Sequence, residues 1–306
     1  MTISIYAAGG CGVNVGKLIK DLDVNITFVD TSLSNLKSVN SPNVFLVEGM
    51  DGAGKNRAVA YDNFKDISED VLLKHPPSEQ LNVVICSLSG GSGSVLAPMI
   101  TKELLSRDCS VIVVAIDSKH SVIEMSNTLK TLKTFKSIAD KASKPVSLFH
   151  IENSNRGEAD RQAIHFVNLL SLLTDKKVTE EFDNSDLKSF LYFDKVTDNA
   201  PTLSILEVVA NDKTPMEKGT SVVGSILITK NRASTLQANT PEYLATCIVN
   251  DSGYNNDDIR LNSVLGKLSI LLSSLEKEIQ THHDLKKVNK IKDVELTGSN
   301  SDGIHL

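Results

Sequence analysis

Between an apolar run, Val83-Val84-Ile85-Cys86, and a helix-like run from Val95 to Leu105, the chain reads Ser87-Leu88-Ser89-Gly90-Gly91-Ser92-Gly93-Ser94. Gly90, Gly91 and Gly93 leave backbone amides uncovered, Ser89, Ser92 and Ser94 add hydroxyl donors, and the helix that follows offers the positive end of its dipole. This is chemistry for holding a phosphate. Gly10-Cys11-Gly12, then Gly16, with Asp30 at the end of the next strand, has the GxGxxxG form of a dinucleotide fingerprint. Gly49, Gly54 and Lys55 give GxxxxGK, but Asn56 stands where a P-loop has its Mg²⁺-binding hydroxyl. Any one such turn is equally a tight connection needing positive φ. Three in one half of a chain are harder to explain that way. Further on, the acidic turn Glu180 to Asp186 offers Asp183, Asn184 or Ser185 as the cap of a following helix.

The elements that would position these turns alternate. Thr2–Ala7, Asn25–Val29, Val44–Val47, Asn82–Cys86, Val111–Ile116 and Val146–Ile151 read as short apolar strands, with helical patterns at 13–22, 57–73 and between the later strands. Continuous apolar strands imply a parallel sheet covered on both faces, with ligand loops at the carboxyl ends. From Gly157 one long helix carries Ile164, Val167, Leu169, Leu170, Leu172 and Leu173, enough for burial on most sides. A smaller mixed α/β region follows, with strands at 202–209, 221–230 and 243–249. From Asp257 the spacing of Leu261, Leu265, Leu268, Leu272, Leu275 and Ile279 predicts a helix with one apolar stripe packed on its own domain, and His282-His283 on its solvated face. The residues after Lys292 are polar and predict a mobile tail.

With 306 residues, 41% hydrophobic and 23% charged, the chain has ample material for a core. A net charge of −6 without a basic stripe argues against direct nucleic acid binding. Cys11, Cys86, Cys109 and Cys247 show no CxxC spacing, which fits free thiols in a reducing cytoplasm. No run is long and apolar enough to span a bilayer, and the chain starts in a strand without a basic leader, so a cytosolic protein with no membrane partner is expected.

Taken together, Gly9-Gly10-Cys11-Gly12-Val13-Asn14, Gly52-Ala53-Gly54-Lys55-Asn56 and Ser89-Gly90-Gly91-Ser92-Gly93-Ser94, in this order, resemble the phosphate loops of the tubulin/FtsZ superfamily, with the nearest likeness to phage-encoded tubulins of the PhuZ type. The third loop is similar to the signature GGGTGSG, with Ser89 and Ser92 in place of Gly and Thr. The resemblance covers nearly the whole chain and implies GTP and GDP with Mg²⁺ as ligands. It places Asp30-Thr31 near the metal and phosphates, Glu124 at the ribose, and Asn153 and Asp160 at the guanine. A carbonyl and a carboxylate together accept from guanine N1–H and N2–H₂, which adenine does not offer, so GTP is favoured over ATP. Glu181-Phe182-Asp183-Asn184-Ser185-Asp186 resembles the loop that this family pushes into the next subunit's pocket, with Asp183 and Asp186 as the catalytic carboxylates and Glu181 where Asn is usual.

The resemblance thus implies a head-to-tail homopolymer, a heterologous contact that need not close, with GTP hydrolysed at the junction. The filament can be multi-stranded through a docking tail that carries Asp293, Glu295 and Asp302. It implies action in the cytoplasm of an infected bacterium, positioning phage DNA. The expected organisation is a Rossmann-like parallel GTP-binding domain (1–156), a central helix (157–178), a smaller mixed α/β activation domain (179–255), a C-terminal helix (256–291) and a tail (292–306). Competing readings are an NAD(P)-dependent oxidoreductase that uses only the first turn and Asp30, and a filament that binds GTP without turnover. A plasmid-partition tubulin is a near neighbour of the phage type.

Overall fold

The computed structural model describes residues 3–64, 67–210, 217–231, 241–250 and 258–298. In order, the first half runs β1 (Ile3–Ala8), α1 (Gly9–Leu18), β2 (Val24–Asp30), α2 (Leu33–Leu36), β3 (Val44–Leu46), α3 (Arg57–Asn63), α4 (Ile67–Lys74), β4 (Leu81–Ser87), α5 (Gly93–Ser106), β5 (Val111–Asp117), α6 (Val122–Ala142) and β6 (Val146–Glu152). The second half runs α7 (Arg156–Thr174), β7 (Thr179–Glu180), α8 (Asn184–Leu191), a 3₁₀ turn at Phe193–Lys195, β8 (Leu203–Ala210), β9 (Ser221–Thr229), β10 (Tyr243–Val249), β11 (Ile259–Leu265) and α9 (Lys267–Gly298).

The eleven strands among the described residues form one sheet, ordered β3-β2-β1-β4-β5-β6-β8-β11-β9-β10-β7. The first six are parallel, as their unbroken apolar character predicts. The second half is not a detached sheet, because β8 pairs in parallel with β6 through Val146↔Leu203 to Phe149↔Leu206 and carries the ladder onward. Beyond β8 the pairing is mixed. One face is covered by α1, α7 and α8 through Val15, Phe166, Val167, Leu170 and Phe190, against Ile85, Ile112, Val114, Ile226 and Leu261. The other is covered by α3 to α6 and α9. α7 therefore packs against strands of both halves, although only one side of it is fully buried, with Glu158, Arg161, Gln162, His165 and Asn168 exposed.

Four expectations are corrected. The helical pattern at 57–73 breaks into α3 and α4, because Phe64 turns fully into the core at φ −112° and leaves helical geometry. Helix α1 starts at Gly9, so the first glycine turn is itself the opening turn of the helix, and α1 stops at Leu18. Leu261 and Leu265 lie in β11, not in a helix. Between two antiparallel neighbours, Leu261 gains ladder bonds to β8 and β9, and Gly266 at φ +84° makes the turn that lets α9 begin only at Lys267. The stripe that packs is thus Leu268, Leu271, Leu272, Leu275 and Ile279. Finally, α9 runs through Gly298, well past the start of the expected tail, and the rest of that tail lies outside the described residues. His282 and His283 are exposed, as read.

Candidate functional site

The strand order reverses between β1 and β4, which opens a crevice at the carboxyl ends of the parallel strands. A cavity of 490 Å³ lies there, a size that suits a small-molecule ligand. It is lined by Gly9, Gly10, Cys11 and Asn14 from the β1–α1 junction, and by Asp30 from β2. Gly52, Ala53 and Lys55 come from the β3–α3 loop and Ser89, Gly90, Gly91, Ser92 and Gly93 from the β4–α5 loop. Glu124, Asn153 and Asp160 are the other expected residues on its lining.

The glycines have a steric reason. A Cβ on Gly9, which sits at φ +72°, would stand 2.6 Å from the backbone of Gly93, and one on Gly93 would stand 2.6 Å from the Ala8 carbonyl. A Cβ on Gly91 would meet Ala53 Cβ at 2.6 Å and Lys55 N at 3.0 Å. The three turns therefore touch through bare backbone, and the amides around the crevice stay uncovered. Across two of the loops, the hydroxyls of Thr31 and Ser92 are hydrogen-bonded at 2.7 Å.

The carboxylates differ in environment. Asp30 is 2% exposed; burial raises its carboxyl above the usual range, against hydrogen bonds donated by the Asn35 amide and the Thr31 backbone at 2.7 Å each. Asp160 is likewise raised by burial, opposed by Arg156 one turn earlier. Burial pushes Glu124 upward, but Lys55 at 2.6 Å and the Ser118 hydroxyl at 3.0 Å outweigh it, and its carboxyl lies below the ordinary value. Among the described residues no group of three His, Cys, Asp or Glu side chains is arranged to hold a metal, and no helix is long and apolar enough to cross a membrane.

No protein-family model matches the chain. A phage tubulin-like protein of Pseudomonas phage PhiPA3 is 33% identical over 195 residues, 62% of this chain and 61% of that protein. The chain spans between 48% and 63% of the length of the curated relatives it matches. The solved protofilament of TubZ from bacteriophage PhiKZ is similar at a TM-score of 0.84 and 19% identity, covering 100% of this chain and 95% of that one. The chain has the tubulin/FtsZ fold. The solved phage tubulin PhuZ with GDP is similar at a TM-score of 0.83 and 22% identity, over 94% of this chain and 93% of that one.

Within this tubulin fold some predicted site residues serve the loops rather than the cavity. Gly12 lies against the backbone of Ala7 and Ile85. Gly54 holds φ +52°, and Asn56 caps α3 by accepting from the amides of Ala58 and Val59. Ser94 donates to the carbonyls of Gly90 and Gly91 at 2.6 and 2.9 Å. Asp183 and Asp186 are also not among the cavity's lining residues. They form a capping box at the start of α8, with Asp183 accepting from the amides of Ser185 and Asp186 and Asp186 accepting from the amide of Asp183. The helix-cap reading of this turn thus holds within one chain.

Ser32, Asn35, Ser87, Ser118 and Arg156 line the cavity and were missed. Ser118 directly follows β5, and position at a parallel strand's carboxyl end was the signal available for it. A dinucleotide enzyme would keep Asp30 free for a ribose. Here it is buried and bonded, and the other two loops share the same cavity.

Cys11 provides a chemical check on the cavity. Burial first, and the Asp160 charge second, push its thiol up to about 12. Iodoacetamide at pH 8 is expected to alkylate Cys11 on the order of a thousandfold more slowly than a free thiol. Peptide mass spectrometry over time reads the rate; alkylation at the free-thiol rate would contradict the raised thiol of this half-buried residue.

Proposed function

We propose that the chain is the subunit of a GTP-hydrolysing filament, assembled head to tail with the active site completed at the junction. The observation that carries this reading is a division of labour within one chain. The cavity gathers the glycine loops, Asn153 and Asp160, while the acidic turn, exposed at Asp183 and half-buried at Asp186, is not among its lining residues. A second copy that brings its turn to this cavity supplies what the first lacks, and the same contact repeated makes a filament. The solved TubZ protofilament and the PhuZ structure with GDP support this reading by analogy of fold.

The residues fit the nucleotide. Gly9, Gly10, Gly90, Gly91 and Gly93 line the cavity without side chains, which leaves main-chain amides to meet phosphate. Asn153 and Asp160 suit guanine. Asp30 is a buried carboxylate with no cation in salt-bridge range among the described residues, which suits a place beside Mg²⁺. When bound, Mg²⁺ neutralises phosphate charge. Asp183 and Asp186 orient the attacking water from the neighbouring subunit. On this reading the GTP-binding part spans 1–156, the activation part follows α7, and the C-terminal tail links strands of the filament. The setting is the cytoplasm of an infected bacterium, where the filament positions phage DNA.

Light scattering at 90° on adding GTP, GDP or ATP with Mg²⁺, with phosphate release followed in the same cuvette, tests the proposal. Scattering that rises with GTP alone, with phosphate release only above a critical protein concentration, is expected. Scattering indifferent to every nucleotide over a wide protein range would overturn it.

A further inference from the structure

Behind the cavity, α6 presents an amide that belongs to none of the nucleotide contacts above. Asn127 is 5% exposed, and its Nδ2 donates toward three main-chain carbonyls, Lys55 at 2.9 Å, Ser89 at 3.1 Å and Gly90 at 3.5 Å. These belong to two different loops, 49–56 and 87–94. We infer that Asn127 is a positioning residue that ties the first loop to the second and thereby sets the site's preference for a nucleoside triphosphate over a diphosphate. The inference rests on the guanine-nucleotide reading of the cavity.

Stereochemistry carries the first step. In a trans peptide the N–H points opposite to the C=O. With the carbonyls of Ser89 and Gly90 turned to Asn127, the amides of Gly90 and Gly91 turn away from α6 towards the cavity, and neither donates to another described group. Loop 87–94 has further supports. Ser94 holds the Gly90 and Gly91 carbonyls, Thr131 donates to the Leu88 carbonyl at 2.9 Å, and the Leu88 amide donates to Ile116. It keeps its shape without Asn127.

Loop 49–56 is held far less. Gly49, Gly52 and Gly54 all have positive φ with nothing within 4 Å of a would-be Cβ. The Lys55 side chain is 55% exposed in its ion pair with Glu124, so that pair is screened and weak. The part-buried bond from Asn127 to the Lys55 carbonyl is the tie that another element makes to this loop's own main chain, while Arg57 just beyond its end reaches the Ser94 carbonyl at 2.9 Å. This loop also follows the edge strand β3, while Asn153 follows β6, five strand spacings of ~4.8 Å away across the sheet. With the base at Asn153 and Asp160, the phosphate that reaches loop 49–56 is the terminal one. Loosening this loop therefore weakens a triphosphate more than a diphosphate.

Calorimetric titration of the full chain with GDP and with a non-hydrolysable GTP analogue, for wild type, Asn127→Ala and Asn127→Leu, tests this. In both variants affinity for the analogue is expected to fall about tenfold and affinity for GDP less than about twofold. Ser94→Ala, acting on the shared loop, is expected to weaken both ligands alike. A variant with an unchanged affinity ratio, or with both affinities reduced in parallel, overturns the role of Asn127 while leaving the nucleotide reading intact. Melting curves without nucleotide identify a variant that has not folded, and the other then decides. Wild-type protein that binds neither guanine nucleotide overturns the reading itself, and the inference with it.

Discussion

Replacing Asp183 by asparagine is expected to stop most phosphate release while leaving GTP affinity within about twofold and assembly intact. The choice of asparagine separates two roles that alanine would confound. In the single chain Asp183 accepts from the amides of Ser185 and Asp186 at 2.6 and 3.1 Å and starts α8. Asparagine caps a helix about as well as aspartate, whereas alanine costs ~1 kcal/mol. Asparagine therefore preserves the fold of the turn and removes only the negative charge. If that charge orients water at a neighbour's terminal phosphate, its loss costs on the order of 10²-fold or more in rate. Asp186→Asn is expected to behave similarly.

The shared-site geometry adds a sharper requirement. Gly91→Val would force a side chain into Ala53 Cβ and the Lys55 amide and so close the cavity of its own chain, but its acidic turn is untouched. Neither Asp183→Asn nor Gly91→Val alone should release phosphate. Mixed, they should, because the open cavity of the first meets the intact Asp183 of the second. Wild-type turnover by Asp183→Asn, or no recovery on mixing, would reduce the acidic turn to a helix cap and leave a filament that binds GTP without turnover as the better account. Glu181, at φ +59° in this turn and in the place where the resembled loop has Asn, is the local feature that favours that account.

Much of the sheet was legible because parallel strands are buried on both faces and so appear as unbroken apolar runs; Val83 to Cys86 and Val111 to Ile116 are plain examples. β11 was not legible. Leu261, Leu265 and Leu268 keep a spacing of four and three, and only the non-local pairing of Leu261 with Val208 and Ile226 decides against a helix. A periodicity cannot report a partner so far away in sequence. The cavity was readable through its glycines and serines, since their amides and hydroxyls announce phosphate chemistry. Asn127, Thr131 and Arg57 were invisible for the opposite reason. They act on backbone carbonyls from an ordinary helix face and from a loop end, with no motif to mark them. Ser94 shows the limit of motif reading. Its place in the signature is right, yet its hydroxyl is spent on Gly90 and Gly91 within the loop.

Gly12 gives the largest expected effect on stability, and it separates two uses of glycine that look identical in sequence. A Cβ at Gly12 would lie 2.4 Å from the Ile85 carbonyl oxygen and 2.9 Å from the Ala7 carbonyl carbon. Both belong to neighbouring central strands, β4 and β1, whose backbone is fixed by ladders on either side. No rotamer change relieves such a contact. Either α1 lifts off the sheet, and Val15 and Ile19 lose their packing, or the strands bend. Gly12→Ala is therefore expected to cost more than ~3 kcal/mol, a drop in Tm of about 5 °C or more in a chain of this size. Gly52→Ala provides the contrast. At φ +78° it strains the backbone, but its Cβ would enter open space. The expected cost is only ~1 kcal/mol. Equilibrium urea unfolding of both variants without nucleotide reads the difference directly. Equal losses would mean that α1 and the sheet yield readily to the added methyl, so that the approach of helix to sheet does not govern Gly12, and the first turn would regain the phosphate role that its sequence alone suggests for every one of its residues.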